Sequence, residues 1–163
     1  MTEAAAAEAD QHVPGREKGR PRMLCRRYDQ GPRLDVAGLN QIVVILDRSE
    51  TARTEVALNT WRAGLLGPPH KHDQKEQTFF ITAGRGWVVV GDEKREVRHG
   101  DVVFVPAGVE HQTIAAPEAD LQYLLYNAFL SQEKEGHKTF AEHIEKVKAI
   151  RRAQADRAAG KGP

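Results

Sequence analysis

Gly64-Leu-Leu-Gly-Pro-Pro-His70-Lys-His72-Asp-Gln-Lys-Glu76-Gln77-Thr-Phe-Phe-Ile-Thr-Ala-Gly84 brings a His-x-His pair, an adjoining Glu-Gln and bracketing glycines into one short stretch. A second block follows at Gly100-Asp-Val-Val-Phe-Val-Pro106-Ala-Gly108-Val-Glu-His111-Gln-Thr-Ile-Ala115. On one strand, two histidines at i and i+2 project to the same face, because side chains alternate with period two. A third histidine from a distant strand would close a metal site. Imidazole suits zinc, iron, nickel, copper and manganese, and open positions on such a metal admit a substrate.

The order and spacing of these residues resemble the two signature motifs of the cupin superfamily, G-x5-H-x-H-x3/4-E-x6-G and G-x5-P-x-G-x2-H-x3-N. The second block fits except at its last position, where Ala115 stands for Asn. In the first block Gly64, His70 and His72 fit, and the acidic position is divided. Counting three residues on from His72 gives Glu76, and counting six back from Gly84 gives Gln77. Both spacings together require a bulge, a feature common at barrel rims and active sites. Strand alternation favours Gln77: it would face inward with Phe79, Ile81 and Ala83, an apolar set suited to a barrel interior. Glu76 is the alternative ligand.

The resemblance implies an all-β fold, the double-stranded β-helix or jelly-roll barrel, over roughly Leu39–Leu130. It also implies one divalent transition metal (Fe, Mn, Ni or Zn) held by His70, His72, Gln77 and His111. Three imidazoles and an amide would leave the full +2 charge on the metal. That favours Lewis-acid polarisation of a carbonyl or enolate over stabilising a ferric intermediate. Glu76, if not a ligand, is a candidate general base. An octahedral metal with four protein ligands keeps two open positions. The pocket around it is expected to be lined by Phe79, Ile81, Val103 or Phe104, with Leu58 or Trp61.

The remaining pattern sets the frame. At 163 residues the chain suits one domain with a sizeable core. Charges of both signs are mixed to a net +1, which argues against nucleic acid as a partner. The one cysteine, Cys25, rules out an intrachain disulfide framework. MTEAAAAEADQHVPG lacks the basic and apolar regions of a secretory signal, and no apolar run reaches membrane-spanning length, so a cytoplasmic protein without a membrane partner is expected.

Residues 1–22 read as a mobile tail, 23–130 as the barrel, 131–158 as a helical extension and 159–163 as a frayed end. The basic stretch from Arg16 to Arg27 reads as a solvated or packed arm. Predicted strands are Ile42–Leu46, Thr54–Trp61, Gln77–Thr82, Trp87–Val90, Arg95–Arg98, Val102–Val105 and Leu121–Leu130, with Gly91-Asp92 as a hairpin turn. Thr139-x-x-Glu142 is a capping box. Phe140, Ile144, Val147 and Ile150 then form an apolar stripe on a helix over Thr139–Ala155, covering the outer barrel wall or a second subunit. His12, His99, His137 and His143 have no ligand spacing and read as surface or turn residues. That stripe, with Ile42–Leu46, Tyr123, Tyr126 and Phe129, predicts a homodimer.

Two classes of function follow. One is an enzyme acting on a small oxygenated molecule: a dioxygenase, or a Lewis-acid isomerase, lyase or cyclase such as a polyketide-cyclase-like cupin. The other is a non-catalytic barrel that binds or senses a small molecule. Fold and metal site alone do not separate them. The lack of a helix-turn-helix pattern weighs against a transcription factor.

Overall fold

Short β-branched and aromatic runs, separated by turns rich in Gly, Pro and Asp, pair into an antiparallel jelly roll. The computed structural model describes residues 23–133 and 137–158. The expected terminal segments 1–22 and 159–163 lie outside them. The elements run β1 (Arg33–Val36), β2 (Asn40–Leu46), β3 (Thr54–Trp61), β4 (Lys75–Val90), β5 (Glu93–Arg98), β6 (Val102–Val105), β7 (His111–Ala115), β8 (Leu121–Phe129) and α1 (Phe140–Ala158).

β4 organises the rest. Its first half pairs with β8 on one side and β6 on the other, in the sheet that continues through β3 and β2 to β1. Its second half, Gly86–Val90, pairs with β5 and β7 in the opposing sheet. The sequence pattern predicted two strands here, because Ala-Gly-Arg-Gly resembles a turn. It is instead a bend within one strand of 16 residues. The register with β8 slips between Ile81 and Ala83, and Gly84 has φ +74°. A Cβ on Gly84 would lie 1.7 Å from the Asp120 carbonyl oxygen, and one on Gly86 would lie 2.1 Å from that of Ile114. Glycine is needed there because neighbouring backbone occupies the side-chain position. The slip also turns Ala83 outward, so the inward set expected with Gln77 ends at Ile81.

Gly91-Asp92 is the expected two-residue hairpin turn, joining Val90 to Glu93. β1 and β7 were not predicted as strands. Each is short, and their pairings come from β2 and from distant β4. Of the basic arm, Arg26 lies within the described residues and is docked, pairing with Glu50 and donating to the Ile45 carbonyl.

α1 starts as its sequence predicts, with the Glu142 amide donating to Thr139 Oγ1 and the Glu142 carboxylate accepting from the Lys138 amide. Its placement differs from expectation. Phe140 and Ile144 are buried with Val36 and Ile42, and Val147 packs beside them, so the stripe closes the mouth of the barrel. The side chain of Ile150 lies outside the described residues. Ile42, Val43, Val44, Tyr123 and Phe129, expected at a subunit interface, are interior. Phe80, Val102, Phe104 and Tyr126 are exposed together on one face of β4, β6 and β8.

The bend generates a stability prediction. Gly38 also has a left-handed φ, with open space around its Cβ position. Gly38→Ala should therefore cost only the left-handed strain of about 1–2 kcal/mol. Gly84→Ala should add overpacking of about 1–3 kcal/mol or more. Urea denaturation of both variants checks this, and equal losses would show that β4 does not depend on the bend.

Candidate metal centre

His70 and His72 lie between β3 and β4. They converge without being on one regular strand, contrary to the simple alternation argument. A reciprocal backbone pair positions them: the His70 amide donates to the His111 carbonyl at 3.0 Å, and the His111 amide donates back at 2.8 Å. The Gly108 amide donates to the His72 carbonyl at 2.9 Å, so the Pro106–Val109 turn of the second block holds the first. One ring nitrogen from each of His70, His72 and His111 lies within 4.8 Å of the others.

The ring orientations fit metal binding. His70 Nδ1 is 3.0 Å from the Pro68 carbonyl and His111 Nδ1 is 3.1 Å from that of Val109. A carbonyl only accepts, so these contacts place the protons on Nδ1 and leave Nε2 with its lone pair.

Gln77 is buried on the inward face of β4 and lines the same cavity. Its amide orientation follows from a chain that starts at a carboxylate. Glu55, 1% exposed, can only accept when ionised, and its Oε2 accepts a hydrogen bond from Asn127 Nδ2 at 3.1 Å. Asn127 Oδ1 then faces Gln77 and accepts from its Nε2 at 2.9 Å. Gln77 Oε1 is left buried and without a hydrogen-bond partner. An orphaned oxygen in the cavity that three imidazoles line is a donor a metal ion would satisfy. Glu76 sits at the opposite parity of β4 and does not line the cavity, so the general-base role considered for it has no support in this geometry.

The cavity, about 90 Å³, is lined by Trp61, Phe79, Leu125, Phe140 and Ile144, together with polar groups. Ile81, Val103, Phe104 and Leu58 do not line it, and Phe104 is exposed. Tyr123 hydroxyl accepts from Asn59 Nδ2 and Trp61 Nε1, using both lone pairs, and so donates to Thr113 Oγ1. Its hydrogen-bonding capacity is filled.

Three residues missed in the sequence face the interior. Lys75, 4% exposed, lines the cavity two residues before Gln77. The alternation that turns Gln77 inward also turns Lys75 inward. His143 of α1 brings its ring centroid to 5.9 Å from that of His72. Its place between Phe140, Ile144 and Val147 on the stripe was the available signal. His137 Nε2 is 3.2 Å from Glu55 Oε1. The surface reading of His137 and His143 is thereby corrected. His99 is exposed, as expected, and His12 lies outside the described residues.

Burial and neighbouring positive charge keep the His72, His111 and His143 imidazoles neutral. His72 is pushed far below its ordinary value, mainly by burial and then by the Lys75 charge. Burial, then His70, pushes His111 down to about 4. His143 is pushed down to about 2 by burial and then by Lys75. Burial also lowers Lys75 to about 8, against the pull of Glu55. At neutral pH the centre thus offers unprotonated nitrogens, the form a metal requires.

The Cupin domain family model matches residues 60–126, which contain both histidine blocks. The matched segment, residues 60–126, is a cupin domain. A pectin degradation protein, KdgF, from Dickeya dadantii is 33% identical over 58 residues, covering 36% of this chain and 53% of that one. The chain spans about a third to a half of the length of the curated relatives it matches. KdgF from Halomonas sp. superposes with TM-score 0.54 at 22% identity, covering 61% of this chain and 87% of that one. The polyketide cyclase RemF from Streptomyces resistomycificus superposes with TM-score 0.60 at 17% identity, covering 73% and 86%. These structural likenesses establish the fold. Among the described residues no helix is long and apolar enough to cross a membrane.

The lowered histidine values predict acid lability of the metal-free protein. The unfolded chain takes up protons near the ordinary histidine value of about 6.5. Folded His111 does so only near 4, and His143 near 2. Between these values the unfolded state binds more protons, so stability is full above about 6.5 and falls as the pH drops. Urea melts of metal-free protein between pH 7 and 4.5 should show this loss, with a shallower dependence in His143→Leu. Identical slopes would mean that His143 is not held neutral.

Proposed function

We propose that the protein is a mononuclear metal-dependent enzyme acting on a small oxygenated molecule, with the metal held by His70, His72, His111 and Gln77 Oε1. The observation that carries this is the convergence of three imidazoles with the orphaned Gln77 oxygen in one cavity. A bound divalent metal would supply Lewis acidity to polarise a carbonyl or stabilise an enolate. The chain orients Gln77 through Asn127 and Glu55, and uses Trp61, Phe79 and the α1 lid to exclude water. His143, neutral at pH 7, can accept a hydrogen bond from a substrate. A dioxygenase on the same ligands is the other enzymatic reading.

Cavity size bears on the substrate. A cavity of about 90 Å³ has room for several waters. A ligand of a few heavy atoms fits with α1 in place. One as large as a polyketide requires α1 to move aside. The relatives named for pectin degradation and polyketide cyclisation support work on oxygen-rich carbon compounds.

We also retain a homodimer as part of this proposal, now through the exposed Phe80, Val102, Phe104 and Tyr126 face, since β6 is an edge strand with outward apolar residues. Light scattering of wild type and a Val102→Lys/Phe104→Lys variant tests it. A dimer converted to monomer is expected, and a monomeric wild type would refute it.

For the centre itself, metal analysis of purified protein should give about one divalent ion per chain. His72→Ala and His111→Ala should lower the affinity by about 10–100-fold or more while the circular dichroism spectrum keeps its β character. Gln77→Ala should weaken binding less, and Glu76→Ala should leave it unchanged. Full occupancy in His111→Ala would refute the centre. Oxygen uptake and product formation on phenols, diketones and hydroxy acids would then separate redox from Lewis-acid chemistry.

A further inference from the structure

Among the buried charges of the described residues, Lys75 is the one whose head group makes neither a hydrogen bond nor an ion pair. Glu55 is occupied: Oε2 accepts from Asn127 and Oε1 faces His137. Arg48, 1% exposed, donates to the Glu133 and His137 carbonyls and stacks 3.8 Å over the Phe129 ring. Lys75 Nζ lies 5.4 Å from the same ring, donates no hydrogen bond to a described residue and has no carboxylate within ion-pairing distance. It lines the cavity that holds the three histidines.

This placement is costly. An ammonium removed from water without a hydrogen bond, and pulled only by Glu55 from beyond ion-pairing distance, is not compensated for the hydration it loses. Its field also reaches His72, His111 and His143. A divalent cation on the imidazoles would add to the repulsion. An anionic ligand lying between the metal and Nζ relieves both costs at once.

We propose that Lys75 is the anion-binding residue of the cavity, and that the substrate is a small carboxylic acid whose carboxylate pairs with Nζ while a neighbouring carbonyl or hydroxyl oxygen meets the metal. The substrate's placement rests on the metal reading, whereas the carboxylate preference rests on Lys75 alone. A carboxylate suits the site better than a phosphate. Lysine supplies one point charge without an arginine's paired donors. The start of α1 offers no anion cradle, because the Phe140 amide donates to Asp47 and the Glu142 amide to Thr139.

The experiment compares pyruvate with pyruvamide, a probe of nearly the same shape without the charge, and with inorganic phosphate. Binding to the full chain is followed by calorimetry in the zinc-loaded and metal-free forms, for wild type and Lys75→Met. The expected result is pyruvate bound at least about tenfold more tightly than pyruvamide and phosphate by wild type, in both forms. In Lys75→Met that preference disappears while zinc content is unchanged. A wild type that does not bind pyruvate, or binds pyruvate and pyruvamide equally, overturns the proposal even if the variant fails to fold. Persistence of the preference in Lys75→Met also overturns it. If zinc does not load, the metal reading fails, and the metal-free comparison still decides the role of Lys75.

Discussion

The bend in β4 at Gly84 is the constraint on which the rest of the molecule depends. One strand hydrogen-bonds to four others and passes from one sheet to the other, so both sheets share a covalent spine. The Asp120 and Ile114 carbonyls lie where side chains of residues 84 and 86 would be. Before the bend, β4 presents Lys75, Gln77, Phe79 and Ile81 to the interior. After it, β4 pairs with β7, which carries His111. The bend thus sets the position of Gln77 relative to His111, and the reciprocal His70–His111 pair then brings in the remaining histidines.

The interior is more polar than a barrel core needs for stability. One network gathers Asn59, Trp61 and Thr113 around the Tyr123 hydroxyl and reaches through Asn59 to Asn40, whose Oδ1 is buried without a partner. The other runs from His137 through Glu55 and Asn127 to Gln77 and likewise ends on an oxygen without a partner. A buried carboxylate two hydrogen bonds behind Gln77 changes the expected electrostatics. The proposed ligands carry no formal charge, yet the Glu55 carboxyl stands behind them and Lys75 stands in the cavity. Such arrangements align donors in advance, so that little reorganisation is needed when charge develops.

The C-terminal extension belongs to the site. Arg48 holds the segment leading into α1 through the Glu133 and His137 carbonyls. Asp47 accepts from the Phe140 amide. These anchors come from the β2–β3 connection, so the barrel itself fixes where the lid starts. Phe140 and Ile144 then seal the mouth while His143 reaches the histidine cluster.

Much of this was legible in the sequence, because it is local. The His-x-His pair, the P-x-G turn, the Gly-Asp hairpin and the Thr-x-x-Glu cap are short-range patterns with direct backbone consequences. The inward register of Gln77 followed from alternation alone. Tertiary contacts decided the rest. Ala-Gly-Arg-Gly is a bend and not a turn because distant carbonyls pack against its glycines. α1 is a lid and not an outer-wall helix because its apolar stripe meets Val36 and Ile42 at the barrel mouth. Lys75, His137 and His143 look like ordinary polar residues along the chain, and only folding removes them from water and brings them together. A sequence records the spacing of charges, whereas the fold determines which of them lose solvent and which lack a partner.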